Sequence, residues 1–139
     1  MTTDYAGPLP DTTDPLTGPH WAAARDGRLA AQCCARCGAL RWQPAPICPE
    51  CLQAGGDWVD LAGTGTIWSF AVYHRAMGPA FRDAVPYTVA MVELDEGPRM
   101  VGMLTDAADD GSDVTIGQRV RASYEPVTDD VTLVRWVRA

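Results

Sequence analysis

"CARCGALRWQPAPICPEC", residues 34–51, carries four of the five cysteines in the chain. They fall as two Cys-x-x-Cys pairs, Cys34/Cys37 and Cys48/Cys51, with ten residues between Cys37 and Cys48. Each pair can offer two sulfurs to one side of a tetrahedral ion, and thiolate is the preferred ligand of structural zinc. Gly38 follows the first pair, where the backbone must turn its amides toward sulfur. The segment between the pairs reads as a ribbon, with "ALRW" (39–42) running out and "API" (45–47) returning around Gln43-Pro44. A thioredoxin-like redox pair would need a βαβ setting that is absent here. An iron–sulfur cluster is possible with four thiolates, but its usual spacings differ. Four thiolates leave no open position for water or substrate, so the site is expected to fold the segment and not to catalyse. Cys33 points elsewhere from its neighbour in an extended chain and is expected to be a partly buried bystander.

Upstream, residues 1–18 read as an extended arm, because Pro8, Pro10, Pro15, Gly7 and Gly18 interrupt any regular element. "TGPHWAAARDGRL" (17–29) reads as a short helix. Thr17 or Gly18 can cap it, Pro19 suits its first turn, and Gly27 can take the left-handed position at its end. Trp21 and Ala24 are expected to share a face. "LAAQC" (29–33) then enters the cysteine segment as a strand.

Downstream the period changes to two. "TIWSFAVYH", "YTVAMVEL", "RMVGMLT", "RVRASYEP" and "VTLVRWV" read as five strands separated by turn-forming stretches. Five strands in a segment this short fit a small barrel of the OB type, with an open meander close behind. The expected division is an arm over 1–18, a helix and zinc ribbon over 19–58, and a mainly β barrel over 59–139. "GTG" (63–65) is read as the bend into the barrel, and the acidic run "TDAADDGSD" (105–113) as a solvated loop, since it lacks the ligand spacing of a calcium loop.

The formal net charge is −7, which opposes nucleic acid as the main partner. All 11 basic residues are arginine, which excludes a Schiff-base or P-loop lysine. No signal-peptide pattern and no membrane-length apolar run is present, and a cytoplasmic location is expected.

Candidate chemistry is sparse. His20 lies in the helix and reads as a packing or surface histidine. His74 closes the first barrel strand, where it can meet a ligand at the barrel mouth. The loop "HRAMGPAFRDAVPY" (74–87) is long for a compact domain and carries Arg75, Phe81 and Arg82. Guanidinium groups near aromatics suit phosphates and a base, and Arg99 on a following strand is expected to join them. Of the five tryptophans, Trp58 and Trp68 are expected in the core. Trp21 and Trp42 are expected to dock the ribbon on the barrel or to meet another protein.

The order of these motifs, "GPHWAAARDGRL", the two cysteine pairs, "GTGTIWSFAVYHR", "PYTVAMVELDEGPRMVGML" and "IGQRVRASYE", resembles an acyl-CoA-associated family with an N-terminal zinc ribbon and a C-terminal OB-fold. The resemblance covers about residues 15–127. It implies a non-catalytic companion of thiolases, thiolase-like aldolases or hydratases acting on CoA thioesters, steroid side chains among them. It implies zinc on Cys34, Cys37, Cys48 and Cys51. His20 stands where the family commonly has an aromatic. Contact of His74, Arg75, Phe81, Arg82 and Arg99 with CoA is inferred from residue chemistry alone. Two other readings stand beside this one. Zinc ribbons and OB-folds both bind nucleic acid. A stand-alone thioesterase would need His74 to work with Asp83 or Glu93.

Overall fold

The computed structural model describes residues 4–139. Residues 1–3 of the expected arm lie outside the described residues. The rest of the arm is shaped by two aspartates. Asp11 accepts hydrogen bonds from the Thr13 amide (2.9 Å) and hydroxyl (2.6 Å), and Asp14 accepts from the Leu16 amide (3.1 Å) and the Thr17 hydroxyl (2.9 Å). Thr17 therefore spends its hydroxyl backwards and gives the helix no side-chain cap. Helix α1 (Gly18–Arg25) follows, with proline in its first turn. It ends at Gly27, whose φ of 73° lets the Arg28 amide donate to Ala23 O (2.9 Å) and the Gly27 amide to Ala24 O (3.0 Å). Its buried face is His20, Ala23 and Ala24, rotated from the expected Trp21–Ala24 face.

Strand β1 (Leu29–Cys33) is the centre of a three-stranded antiparallel sheet, flanked by β2 (Leu40–Arg41) and β3 (Asp57–Leu61). The expected return strand at 45–47 does not form; Ile47 makes only an isolated bridge with Ala54. Pro44 and Pro46 have no amide hydrogen to give a ladder. The place beside β1 is taken by β3, in register from Leu29↔Leu61 to Cys33↔Asp57. A buried clasp holds the ribbon behind it. Arg41 Nε donates to Gln32 Oε1 (2.8 Å), and one Arg41 terminal nitrogen donates to Ala45 O (3.0 Å) and Gly55 O (3.2 Å).

The five expected strands all form: β4 (Thr64–Tyr73), β5 (Tyr87–Leu94), β6 (Arg99–Leu104), β7 (Arg119–Pro126) and β8 (Thr132–Arg138). They close into a barrel in the order β4-β5-β6-β8-β7, the five-stranded closure expected of an OB-type fold. The β6–β8 seam is parallel and rests on one pair, Leu104↔Trp136. Gly65 is needed at the crossing of β4 over β5, since a Cβ there would lie 2.3 Å from Glu93 O.

Alternate residues of β5 (Thr88, Ala90, Val92 and Leu94) point inward and meet Ile67, Met100, Leu104, Val120 and Trp136. Leu29 of β1 joins this core, and Trp42 of the ribbon packs against it. Trp136 is fully buried. Trp68, expected in the core, is 47% exposed. The register of β4 against β5 slips between Ile67 and Ser69, and this bulge turns the Trp68 ring outward. Trp58 is half-buried. The acidic run is an irregular and largely exposed loop, as expected, and it is anchored to the barrel. Arg138 binds Asp106 and Asp113, and Gly111 is buried against Val72. No helix among the described residues is long and apolar enough to cross a membrane.

Candidate functional site

The two cysteine pairs converge. Cys34 Sγ lies 3.6 Å from Cys51 Sγ, Cys37 Sγ lies 3.7 Å from Cys48 Sγ, and all four sulfurs are within 4.8 Å of one another. A zinc–sulfur bond of about 2.3 Å gives a tetrahedron with edges of roughly 3.8 Å. The four sulfurs fit that figure. The Arg36 amide points at Cys34 Sγ (3.4 Å), and amide donors of this kind stabilise a thiolate. Amides of Cys37 and Arg36 lower the Cys34 thiol to about 6. The Ala39 amide pulls Cys37 the same way, but burial and the neighbouring sulfurs outweigh it and push Cys37 up to about 12. Four thiolates at these separations repel one another, and a dication would offset that repulsion. The cluster has the donor set and spacing of a closed structural zinc site. Cys33 stays outside it, half-buried, its sulfur 3.5 Å from Gly38 O.

The tryptophans of the ribbon region meet a buried histidine. His20 is 5% exposed, with its ring centroid 4.7 Å from that of Trp21 and 4.5 Å from that of Trp42. Its Nδ1 has no hydrogen-bond partner among the described residues. Burial lowers its pKa from 6.5 to about 4, so the ring is neutral at pH 7. These three rings line a cleft over the β6–β8 seam. Trp42 thus joins ribbon to barrel, and Trp21 stands half-buried at the rim.

The other predicted residues separate into two groups. His74, Arg75 and Arg82 are exposed on the β4–β5 loop, and Phe81 closes a 3-10 turn, Pro79–Phe81, in the same loop. His74 has no hydrogen bond among the described residues. Arg99 does not join them. It sits at the far end of β6, paired in register with Glu93, while the loop meets β5 at Tyr87. Arg99 donates to Glu93 (3.1 Å) and lies over the Trp68 ring. Glu93 is thereby spent on Arg99 and is not beside His74.

A cavity of about 380 Å³ opens at the barrel mouth beneath that loop. Phe81 is part of its wall, with Tyr5 of the arm, Tyr87, Thr88, Met103 and Arg135. Tyr87 stacks on Tyr73 (5.3 Å between centroids, 9° between planes) and lies 6.0 Å from Phe81. Thr88, Glu125 and Arg135 were not singled out from sequence. Their one signal is a diagonal: Ser123 faces Arg135 and Glu125 faces Leu133, so Glu125 and Arg135 are diagonal neighbours of opposite charge. That is readable only once the β7–β8 register is known.

A cysteine-knuckled ribbon built onto a five-stranded barrel defines a zinc-ribbon and OB-fold protein. Residues 21–55 match the family described as ChsH2, rubredoxin-like zinc ribbon domain, and residues 58–125 match ChsH2, C-terminal OB-fold domain. The chain belongs to this ChsH2/DUF35 family. It is 41% identical over 111 residues to a probable enoyl-CoA hydratase alpha subunit of Thermomonospora curvata, covering 80% of this chain and 34% of that protein. It is 40% identical over 87 residues to the 3-oxo-4,17-pregnadiene-20-carboxyl-CoA hydratase alpha subunit of Mycobacterium tuberculosis, covering 63% of this chain and 27% of that one. The chain thus spans about a third or less of the length of these two relatives. Among solved structures, a chain of the "Ltp2-ChsH2(DUF35) aldolase" superposes with a TM-score of 0.80 at 36% identity, over 93% of this chain and 98% of that one.

Proposed function

We propose that this chain is a non-catalytic accessory subunit of a thiolase-fold enzyme, a thiolase or an aldolase, that acts on a CoA thioester. The observation that carries this reading is the end-to-end likeness to one chain of an aldolase assembly, spanning ribbon and barrel together. The two hydratase alpha subunits named for acyl-CoA substrates support the same ligand class, and the mycobacterial one points to steroid thioesters. The partner supplies the reacting groups. This chain orders the entrance to the partner's active site and helps to hold the CoA moiety. Arg75 and Arg82, exposed on one loop, take its phosphates, and Phe81 offers a face to its base or pantetheine arm. Zinc on Cys34, Cys37, Cys48 and Cys51 keeps the ribbon folded. The half-buried rim at Trp21 belongs to the contact with the partner.

The test is co-purification from the native host, followed by assay of the partner with and without this chain. A stoichiometric thiolase-fold protein whose turnover falls without this chain is the expected result. An equally stable partner with full turnover alone would sink the reading.

A further inference from the structure

The barrel-mouth cavity carries a charge pattern that does not suit CoA phosphates. Its walls hold one cation, Arg135, and two carboxylates, Glu125 and Asp109. Arg135 Nε donates to Glu125 Oε2 at 2.8 Å. A phosphate or carboxylate entering here would meet net negative charge. The remaining surface is largely apolar, with Phe81 and Met103 among its walls. Yet one donor group in it is unspent. The terminal nitrogens of Arg135 make no hydrogen bond among the described residues. The hydroxyl of Thr88 also lacks a partner among the described residues, but it is closed off from the cavity.

We propose that this cavity binds an uncharged, mainly apolar group bearing a carbonyl or hydroxyl oxygen, namely the end of an acyl group far from its thioester. Arg135 donates to that oxygen, and Glu125 with Asp109 turns anions away. The volume lies within the roughly 300–1,000 Å³ typical of small-molecule sites. The cleft over the β6–β8 seam shares Met103 and Arg135 with the cavity. The identification of the ligand as an acyl group rests on the accessory-subunit reading. The cavity itself is complete within this chain.

The experiment is equilibrium binding to the isolated full-length chain, using two probes: progesterone as a neutral four-ring ketone, and coenzyme A. Progesterone is expected to bind saturably at one site. Coenzyme A is expected not to displace progesterone. Ala84→Trp, which fills the mouth from an exposed position, and Arg135→Met are each expected to weaken progesterone at least tenfold. If Arg135→Met does not fold, Ala84→Trp carries the test. Absence of saturable progesterone binding would overturn the proposal. So would full affinity in Ala84→Trp. No partner enzyme takes part, so the result is independent of whether partner turnover depends on this chain.

Discussion

The guanidinium carbon of Arg99 lies 3.9 Å from the centre of the Trp68 ring, on the outside of the barrel. Both residues are exposed, and Glu93 holds the other side of the guanidinium. The arrangement covers part of an aromatic face that the β4 bulge has turned to solvent. It also places Arg99 at the end of the barrel away from the β4–β5 loop.

Arg99 is therefore separable from the CoA contacts proposed on that loop. Arg99→Ala is expected to cost about 0.5–1 kcal/mol, the worth of an exposed cation–π pair, and to leave CoA binding unchanged. Arg75→Ala with Arg82→Ala is expected to leave stability within about 0.5 kcal/mol and to weaken CoA binding to the assembled enzyme. Denaturant unfolding and a CoA titration measure the two effects side by side.

Zinc is expected at one ion per chain by metal analysis. Chelation, or Cys34→Ser, is expected to broaden or remove amide resonances of residues 34–56 while those of β4–β8 persist. The ribbon tip has almost no apolar core of its own, so its order depends on the metal. Unchanged ribbon spectra in the fully stripped protein would contradict this.

His20 makes stability acid-sensitive. Its folded pKa is below its unfolded value, so above pH 6.5 both states are neutral and the ring imposes no penalty. As pH falls from 6.5 toward 4 the unfolded chain takes up a proton that the folded chain refuses, and stability falls. At about 1.4 kcal/mol per unit the loss approaches roughly 3 kcal/mol, and it flattens below pH 4. His20→Phe, which keeps an aromatic between Trp21 and Trp42, is expected to remove this slope. The difference between the two unfolding curves isolates His20 from the carboxylates that titrate nearby in pH.

Gly102→Ala tests the seam. The added Cβ would sit 2.7 Å from Trp136 Nε1, and Trp136 is fully buried and has no room to move. A cost of about 1–3 kcal/mol is expected, read as a lower midpoint of thermal unfolding. Gly27→Ala meets no atom within 4 Å but must adopt φ of 73°, so its cost is backbone strain alone, about 1 kcal/mol.

The elements legible in sequence are those whose signal is local. The helix is marked by Pro19, three alanines and Gly27. The five strands are marked by alternation and by the turns between them, and the metal cluster by cysteine spacing. What the sequence concealed is partnership across distance. Nothing in "API" against "DWVDL" says which of them lies beside β1, although Pro46 within the first and Pro44 just before it count against it. A bulge at Trp68 leaves composition untouched while reversing which way a large ring faces. Arg99 is near Arg82 along the chain, but a whole strand length separates their ends of the barrel. Arg135 looks ordinary until the barrel closes and leaves its terminal nitrogens at the wall of a cavity.

Leu29 is the first residue of the ribbon's central strand and at the same time a member of the barrel core. With Trp42 packed on the same core, the ribbon is keyed into the barrel at two points. Torque applied to the ribbon is transmitted to the barrel. An enzyme that grips the ribbon would also set the compass bearing of the barrel mouth, and with it the direction from which a bound thioester is presented.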